Sequence, residues 1–412
     1  MTRMRWDGEN LEKIQELAYY TTDPRFEEKA AELFPNIPAS HLRGAIDNLS
    51  RRRLIERGNA PDKPPEVVIH ESAHDRQLAR RDEEIARLRK LYKEQTSGAA
   101  RNEALLEALN QLLPEYKPVP VPPKMKLGKD IEEEELILLL GDLHFGEIVS
   151  SDETGGISSY NLDIAKRRFD YTIDKAIVIA KEKQRGYHYK KLNVFLLGDL
   201  ISGLIHDELR TSNEEGVVRQ MLFAIEIMSA GILRLCQEFD NVNVASVVGN
   251  HGRVQESYYF KGKANNNFDY LVSKMLEKLT KQQRNLTWNI PESFWAIEEV
   301  GGQKFLLMHG DMVKSWAGIP WYGLDRLYKK WRTLESDYGM GFNHMVIGHF
   351  HNPNVFTVVR GKLFINGSLK GGDEYSIGAI GAACDPIQLM FGVNPGRRGH
   401  TSLWELNSSH IK

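Results

Sequence analysis

The chain has 412 residues, and at roughly 150 residues per domain this length predicts two or three domains. Hydrophobic residues make up 41% and charged residues 27%, which is typical of globular proteins and argues against a wholly disordered, collagen-like or membrane-spanning chain. The balance of 54 basic against 56 acidic residues gives a net charge of −2, so contact with nucleic acid would need a local basic patch. The sequence has two cysteines without CxxC spacing and no apolar leader or membrane segment, and we therefore expect a cytoplasmic protein.

Residues 1–60 predict a small helical head of three short helices. The third helix carries Leu42, Ile46 and Leu49 on one face, and the arrangement resembles a helix-turn-helix. Residues 40–60 hold five arginines against two carboxylates, a net charge of +3 that favours contact with phosphates in a DNA groove. The predicted nucleic-acid contacts in this helix are Arg43, Arg51 and Arg52. The solvated basic face of an ordinary three-helix bundle remains the alternative interpretation.

Residues 61–125 predict a charged helical connector that ends in a proline-rich linker. Within the helical stretch 74–113, Leu78, Ile85 and Tyr92 recur at heptad spacing, which favours homo-oligomer formation; a helical hairpin is the alternative. Several prolines follow, and because proline lacks a backbone N–H group, they predict a stiff, extended linker. A domain boundary is therefore expected near residue 125.

Residues 126–412 predict a single catalytic domain of the α/β class. Five apolar runs have the length of buried strands, and a glycine stands close to the end of each one. The runs are 135–140, 192–197, 242–248, 305–308 and 344–347. Because the carboxyl ends of the strands form the crevice of an open α/β sheet, the polar residues that follow these runs are expected to converge.

Five polar motifs stand at these strand ends. They are Gly141-Asp142-Leu143-His144, Gly198-Asp199, Gly249-Asn250-His251, His309-Gly310-Asp311 and Gly348-His349-Phe350-His351. Together they offer carboxylate and amide oxygens with imidazole nitrogens, a mixed set that suits manganese, iron or zinc better than calcium or magnesium. Seven such ligands are enough for two cations roughly 3.5–4 Å apart, an arrangement that clamps a phosphoryl group and activates a water molecule. The motifs therefore predict a phosphoester substrate.

In this order, the motifs resemble the signature of the calcineurin-like metallophosphoesterases, which consists of DxH, GD, GNH, an isolated histidine and GHxH. The resemblance spans Asp142 to His351, about half of the chain, and implies a four-layer α/β/β/α sandwich behind the helical head and connector. It assigns the first metal to Asp142, His144 and His351. It assigns the second metal to Asn250, His309 and His349. Asp199 would bridge the two cations, and His251 would protonate the leaving oxygen or stabilise the transition state.

The sequence departs from the family pattern after the GNH motif. Family members often carry an acidic residue there, whereas Gly252 and Arg253 follow His251, so the group that orients His251 is not identified. Arg253 is predicted to bind a phosphate oxygen as a second catalytic residue, with a structural salt bridge as the alternative. Trp316 and Trp321 are predicted to stack on bases, with core packing as the alternative.

Two functions remain open at this point. A DNA nuclease or phosphodiesterase is favoured by the helical head, the arginines and the aromatic loop, and the catalytic domain is distantly similar to SbcD-type nucleases. The alternative is a phosphomonoesterase or protein phosphatase whose N-terminal helices mediate dimerisation or partner binding. Two divalent cations are expected, with manganese favoured and iron, zinc or nickel as alternatives. The basic segment Gly396-Arg397-Arg398-Gly399 is interpreted as a solvated turn.

Overall fold

The computed structural model describes residues 8–35, 37–51, 117–121, 132–183, 187–205, 209–254, 260–313, 320–339, 341–380 and 383–412. The chain divides into two compact units, Met1–Ala86 and Arg87–Lys412. The predicted connector helix with its heptad positions, and the predicted boundaries near residues 60 and 125, lie outside the described residues and stay predictions. No described helix is both long enough and apolar enough to cross a lipid bilayer.

The three helices predicted for the head are confirmed, as α1 (Gly8–Ala18), α2 (Phe26–Leu33) and α3 (Ala39–Arg51). The apolar face of α3 is buried in the core of this unit. The buried side chains of that core include Ile14, Leu17, Phe26, Leu42, Ile46 and Leu49. A three-helix unit of this size depends on this shared apolar face, because isolated helices of such length are marginal in water.

The second unit contains two β-sheets. Their strands are β1 (Glu132–Leu140), β2 (Tyr187–Leu196), β3 (Asn241–Ser246), β4 (Leu286–Asn289), β5 (Trp295–Val300), β6 (Gln303–Met308), β7 (His344–Ile347), β8 (Asn354–Val358), β9 (Gly361–Ile365), β10 (Ile387–Val393) and β11 (Ser402–Asn407). The first sheet has the order β11-β10-β1-β2-β3-β4, and the second has the order β5-β6-β7-β9-β8. Strands β1 to β4 run parallel to one another, as do β6, β7 and β9. Strands β10 and β11 in the first sheet and β5 and β8 in the second pair antiparallel with their neighbours.

Helices cover the outer face of each sheet. Within the described residues, the helices of this unit are α4 (Leu162–Lys183), α5 (Leu209–Ser212), α6 (Val217–Glu238), α7 (Phe268–Thr280) and α8 (Pro320–Tyr338). Residues of α4, α6 and α7 share one apolar cluster with the first sheet, and Leu324 and Tyr328 of α8 share another with the second sheet. The expected four-layer α/β/β/α sandwich is therefore confirmed.

Strand β1 is apolar at every position from 136 to 140 because both of its faces are covered. Leu136, Leu138 and Leu140 lie in the cluster with the helices, whereas Ile137 and Leu139 lie in the cluster between the two sheets. Successive side chains of a strand point to opposite faces, so a strand covered on both sides needs apolar residues throughout. All five predicted strands are present, and each leads into one of the five polar motifs.

Candidate metal centre

The residues predicted as metal ligands stand on tight turns directly after the strands. Five of them have backbone φ angles in the left-handed region that favours glycine. They are Asp142 (51°), His144 (48°), Asp199 (51°), His349 (70°) and His351 (56°). Each such conformation costs roughly 1–2 kcal/mol for a residue with a side chain, and strain of this kind concentrates at functional sites. The conformation of these turns therefore determines the direction of the predicted ligand side chains.

Hydrogen bonds between the loops hold the strained turns in place. The N–H groups of Asp142 and His144 donate to the main-chain oxygens of Gly198 and Asp199, each at 3.0 Å. The His349 N–H group lies 3.1 and 3.0 Å from the two carboxylate oxygens of Asp142. The first, second and fifth motifs therefore form one connected network.

Two glycines of the motifs leave room for carboxylates. A Cβ atom at Gly249 would lie 2.0 Å from Oδ1 of Asp199, and one at Gly348 would lie 2.4 Å from Oδ2 of Asp142. Neither distance is sterically allowed, so any larger residue would displace the carboxylate. The close approach of these glycines explains their place immediately before Asn250 and His349.

The first ligand group consists of Asp142, His144 and His351, as the resemblance implied. Their ligand atoms lie within 4.8 Å of one another. The Nε2 atoms of His144 and His351 are 3.1 Å apart, and His351 Nε2 is 3.3 Å from Oδ1 of Asp142. Two ligands that each lie about 2.1 Å from one cation are separated by roughly 3.0–3.4 Å at tetrahedral or octahedral angles. The spacing of this group fits a single divalent cation.

The second ligand group brings together His309, His349, Asp199 and Asn250. The ligand atoms of the first three lie within 4.8 Å of one another. His309 Nε2 lies 3.0 Å from Oδ2 of Asp199 and 3.0 Å from Oδ1 of Asn250. Asp199 is placed in this group; its role as a bridge to the first cation stays a prediction.

The hydrogen bond at Nδ1, the other ring nitrogen of His309, indicates which kind of ligand this group can bind. Nδ1 lies 2.8 Å from the main-chain oxygen of Leu197, and because a carbonyl only accepts, Nδ1 carries the proton. In the neutral ring, the lone pair of Nε2 then faces the oxygens of Asp199 and Asn250. Three lone pairs that meet in this way repel one another unless a proton or a metal cation stands between them. The donor set therefore fits a metal.

The pKa values of the histidines agree with a metal site. Burial and the charge of Lys370 lower the pKa of His144 to about 4, and burial and His309 lower the pKa of His349 to about 4. Burial also disfavours the charged form of His309, but the carboxylates of Asp199 and Asp142 raise its pKa to about 10. His144 and His349 are thus neutral ligands near pH 7, and the position beside His309 attracts positive charge.

His251 is oriented by a main-chain oxygen and by the carboxylate of Asp199. Its Nδ1 atom donates a hydrogen bond of 2.8 Å to the main-chain oxygen of Ser202, and its N–H group donates to Oδ1 of Asp199 at 2.7 Å. The ring of His251 lies edge-on to the ring of His144, with 4.5 Å between the centroids. The sequence alone does not reveal this role of Ser202, because any residue type provides the same carbonyl oxygen.

Asp269 is a buried carboxylate that the sequence analysis also missed. It accepts hydrogen bonds from the N–H groups of Asp199 (2.9 Å), Leu200 (3.1 Å) and Gly249 (2.9 Å). Asp269 lies in the first turn of α7, whose N-cap Asn267 donates to the main-chain oxygen of Gly249 at 2.8 Å. Asp269 thereby ties the loops of the second and third motifs together.

Gly252 is required by the same arrangement. A Cβ atom at position 252 would lie 2.2 Å from Oδ1 of Asn267 and 2.9 Å from Cγ of Asp269. An acidic residue after the GNH motif would not fit here. The departure from the family pattern therefore has a steric cause.

A buried chain of charges supports His144 from its other side. Oε2 of Glu147 lies 3.2 Å from Nδ1 of His144, and Lys370 bonds to both Glu147 and Asp373. All four side chains are at most about one-eighth exposed. A carboxylate on the far nitrogen of a ligating histidine fixes its tautomer and increases its basicity. Glu147 is therefore placed to present Nε2 of His144 to a metal.

Asp311, in the fourth motif, forms a second buried ion pair. Both of its carboxylate oxygens lie 2.7 Å from Nζ of Lys263, and the two side chains are only 3% and 2% exposed. Asp311 contributes to the electrostatic environment of His309. The motif is evident in the sequence, but its lysine partner, which lies 48 residues earlier in the chain, is not.

The other predicted site residues have different surroundings. Arg253 lies in the loop of His251, where its backbone pairs with Asn267; its role with phosphate stays a prediction. Trp321 is half-buried and packs on Phe356, with 4.2 Å between the ring centroids. Its stacking on bases stays a prediction. Trp316 lies outside the described residues.

The arginines of the head are only partly described. The guanidinium of Arg43 lies 3.9 Å from the centroid of the Phe26 ring and donates to the main-chain oxygen of Thr21 at 2.8 Å. Arg43 therefore has a structural role within the head, although its side chain remains exposed. Arg52 and the side chain of Arg51 lie outside the described part of the chain, and their contacts with nucleic acid stay predictions.

Comparisons with known proteins place the chain in a family. A model of the calcineurin-like phosphoesterases matches residues 135–376. No curated protein matches. Among solved structures, Vps29 from Entamoeba histolytica in complex with zinc is 14% identical, with 66% of this chain and 99% of that chain covered and a TM-score of 0.28. An archaeal phosphodiesterase is 12% identical, with 66% and 99% covered and a TM-score of 0.30.

A predicted phosphoesterase from Streptococcus pneumoniae is 10% identical, with 66% of this chain and 98% of that chain covered and a TM-score of 0.26. These structural likenesses are low, so the family assignment rests on the sequence match. The similarity to SbcD-type nucleases stays a prediction. The matched region spans more than half of the 412 residues and includes all five metal motifs, and the chain therefore belongs to the calcineurin-like phosphoesterase family of metal-dependent phosphoesterases.

Proposed function

We propose that this phosphoesterase is a phosphodiesterase that acts on DNA, with manganese as its activating metal. Membership of the family supports the phosphoesterase chemistry. The observation that carries the choice of DNA is the basic stretch of sequence that begins in the third helix of the head. The stretch 40–60 holds five arginines against two carboxylates, whereas the whole chain has a net charge of −2. Local positive charge of this kind neutralises phosphates of a nucleic-acid backbone.

The described part of the head leaves a surface for such contact. Three short helices share an apolar core that holds Leu42, Ile46 and Leu49, and on α3 the side chains of His41 and Arg43 are exposed. A helix with one buried face and one basic, exposed face is the element that DNA-binding proteins place in the major groove. These features support binding to DNA through the head.

The preference for manganese follows from the donor set. The two ligand groups combine imidazole nitrogens with carboxylate and amide oxygens, and the described residues of the site include no thiolate. Such mixed nitrogen and oxygen sites suit manganese, iron and zinc, and geometry and availability decide among them. Iron, zinc and nickel are the alternatives in a metal comparison.

Different side chains of the protein have different roles in the proposed hydrolysis. Two divalent cations, when bound, lower the pKa of a water molecule and neutralise charge on the phosphoryl oxygens. The buried carboxylates of Asp142 and Asp199 keep the ligand positions fixed, and burial strengthens their electric field. Because Ser202 accepts the Nδ1 proton of His251, Nε2 is the ring atom that is left to give a proton to the leaving oxygen.

A substrate panel tests the choice of a phosphodiester. The full-length protein with manganese is incubated with single-stranded DNA, duplex DNA, a bis-aryl phosphodiester and an aryl phosphomonoester. The proposal expects turnover of the DNA and of the diester. Turnover of the monoester alone would favour the alternative, a phosphomonoesterase or protein phosphatase, and would end the nuclease proposal.

Charge reversal in the head tests the proposed DNA contact separately. The double variant Arg51→Glu with Arg52→Glu is compared with Arg219→Glu, whose side chain on α6 is 76% exposed. The head variant should weaken DNA binding and reduce the slope of log K against log salt by about 2, while Arg219→Glu leaves both unchanged. Equal effects of the two variants would contradict a contact through the head.

A further inference from the structure

Two side-chain amides hold the turn whose carbonyl group orients His251. The Gly203 N–H group donates to Oε1 of Gln220 at 2.9 Å, and the main-chain oxygen of Gly203 accepts from Nδ2 of Asn213 at 2.7 Å. The Ser202 hydroxyl donates to Oδ1 of Asn213 at 2.7 Å. Both polar main-chain groups of Gly203 are therefore bonded to side chains that lie outside the five metal motifs.

The peptide unit between Ser202 and Gly203 connects Gln220 to His251. Its carbonyl group accepts from Nδ1 of His251 at 2.8 Å, and its N–H group donates to Gln220. The unit is planar and trans, so its C=O and N–H bonds point in opposite directions. The bond to Gln220 therefore fixes the direction in which the carbonyl points. Hydrogen bonds in such a chain also polarise and strengthen one another.

The amide of Gln220 itself has a fixed orientation. Gln220 is fully buried on α6, a helix whose other buried residues are mostly apolar. A buried amide is unfavourable unless its polar atoms find partners. Nε2 donates to the main-chain oxygen of Glu215 at 2.8 Å, and because a carbonyl only accepts, Oε1 is the atom that faces Gly203. The acceptor of the Gly203 N–H group is thus kept in place by the packing of α6.

Gln220 also contacts the loop of the first metal motif. Gly146 has a φ angle of 99°, and a Cβ atom there would lie 2.4 Å from Cγ of Gln220. The main-chain oxygen of Gly146 accepts from the N–H group of Glu214 at 2.9 Å. The loop that follows His144 therefore packs on residues 213–220, the same segment that holds the turn.

We propose that Gln220 and Asn213 are positioning residues for His251, and that they act through the peptide unit between Ser202 and Gly203. The inference rests on the proposed function, in which Nε2 of His251 gives a proton to the leaving oxygen. A carbonyl held in this direction keeps one proton of the ring on Nδ1, so that Nε2 is the nitrogen that binds and releases the other. Two side chains outside the motifs thus assist the proton transfer through His251.

A buried amide that only stabilised the fold would behave differently. Its removal would lower thermal stability and leave the ring of His251 unchanged. Gln283 provides the matched control, because it is also buried, accepts from the Val119 N–H group at 3.0 Å and donates to Asn285 at 2.6 Å. These bonds do not involve the metal motifs. Gln283→Met therefore measures the effect of losing a buried amide elsewhere in the chain.

Nuclear magnetic resonance of the ring nitrogens tests the contact directly. The metal-free, full-length protein carries isotope-labelled histidine and is studied at about pH 8, where an ordinary histidine ring is neutral. The signals of His251 are identified by their loss in His251→Gln. In the wild type, Nδ1 of His251 should give the signal of a protonated nitrogen. Gln220→Met fills a similar volume without an acceptor and should move this signal towards the average of the two tautomers, whereas Gln283→Met leaves it unchanged.

Turnover of a bis-aryl phosphodiester with manganese is the second readout. We expect kcat to fall about tenfold in Gln220→Met and about threefold in Asn213→Ala, with KM and metal content near those of the wild type, because a misaligned acid loses only part of its contribution. Asn213 is half-buried, so Asn213→Ala replaces Gln220→Met in both measurements if the latter does not fold.

Three results would overturn the proposal. They are an unchanged Nδ1 signal in the variants at 220 and 213, a normal kcat in the same variants, and an equal loss of kcat in Gln283→Met. If the wild type hydrolyses no phosphodiester, the proposed function fails, but the nitrogen signals still report whether Gln220 orients His251. The two failures are therefore distinguishable.

Discussion

Nδ1 of His251 lies 2.8 Å from the main-chain oxygen of Ser202, three residues after Asp199 in the same loop. The N–H group of His251 in turn donates to Oδ1 of Asp199 at 2.7 Å. One short segment therefore positions both a predicted metal ligand and the predicted catalytic histidine. This backbone contact gives Nδ1 of His251 an acceptor, and it makes the conformation of residues 202 and 203 a determinant of the predicted proton-transfer step.

The glycine that follows Ser202 gives the first prediction. A Cβ atom at Gly203 would lie 1.9 Å from the main-chain oxygen of His251, so Gly203→Ala must displace that residue. Gly155→Ala is the matched control, because Gly155 has a similar φ angle (63° against 67°) and no atom within 4 Å of the added Cβ. We expect kcat to fall about 10²-fold in Gly203→Ala, approaching the loss in His251→Ala, with normal metal content. Normal turnover in Gly203→Ala would show that Ser202 does not orient His251.

A second prediction concerns the glycine beside Asp199. Gly249→Ala would place Cβ 2.0 Å from Oδ1 of Asp199, whereas Gly216→Ala, also at a glycine without a positive φ, meets no atom within 4 Å. Displacement of the carboxylate should weaken metal binding about 10- to 100-fold, as is usual when a ligand loses its support. Calorimetric titration with manganese measures the metal affinity of both variants. Equal affinities in the two variants would contradict the steric role of Gly249.

The third prediction addresses the carboxylate behind His144. Glu147→Ala removes the acceptor that lies 3.2 Å from Nδ1 of His144, and metal affinity should fall about 10- to 100-fold. Glu147→Gln keeps an oxygen at this position and should restore most of the affinity. A structural role alone would instead lower thermal stability in both variants and leave the affinity for manganese unchanged.

The fourth prediction is a dependence of stability on pH. Burial disfavours the charged form of Asp373, but Lys370 lowers its pKa to about 2 from the usual 3.8. A carboxyl whose folded pKa is depressed stabilises the fold above its unfolded pKa, and this contribution is lost as the pH falls from about 4 towards 2. Asp373→Asn should cost about 1–2 kcal/mol near pH 7, after allowance for its partial exposure.

Urea unfolding at several pH values checks this expectation, with Asp152→Asn at an exposed position as the control. The difference between the wild type and Asp373→Asn should stay constant from pH 7 to about 5 and shrink below about pH 4. A difference that grows on acidification would contradict the assignment of the ion pair with Lys370.

The sequence was sufficient to predict five strands and the residues of the two ligand groups because the information for them is local. An apolar run such as 135–140 indicates a buried strand, and the polar residue after it indicates a position at the edge of the sheet. The supporting groups are different. Glu147 and Lys370 are 223 residues apart, and a main-chain oxygen such as that of Ser202 leaves no trace in the residue type.

Strands that mix polar and apolar residues are also not predicted from the sequence. Strand β8 (Asn354–Val358) is largely half-exposed, and β10 (Ile387–Val393) is fully buried although it contains Gln388 and Gly392. Neither pattern has the uninterrupted apolar run that identified the central strands. Gln388 is accommodated in the core because its side chain accepts from the Gly141 N–H group at 3.0 Å, a contact that only the folded chain reveals.

The claim that two cations lie between the two ligand groups is tested most directly by the number of manganese ions bound per chain. Elemental analysis after dialysis against manganese should find two ions in the wild type, and coupled-spin signals in electron paramagnetic resonance should show that they are neighbours. Asp199→Ala should lose both the coupling and the activity, because its carboxylate is the predicted bridge. A single ion per wild-type chain at saturating manganese, or two ions without magnetic coupling, would contradict this account.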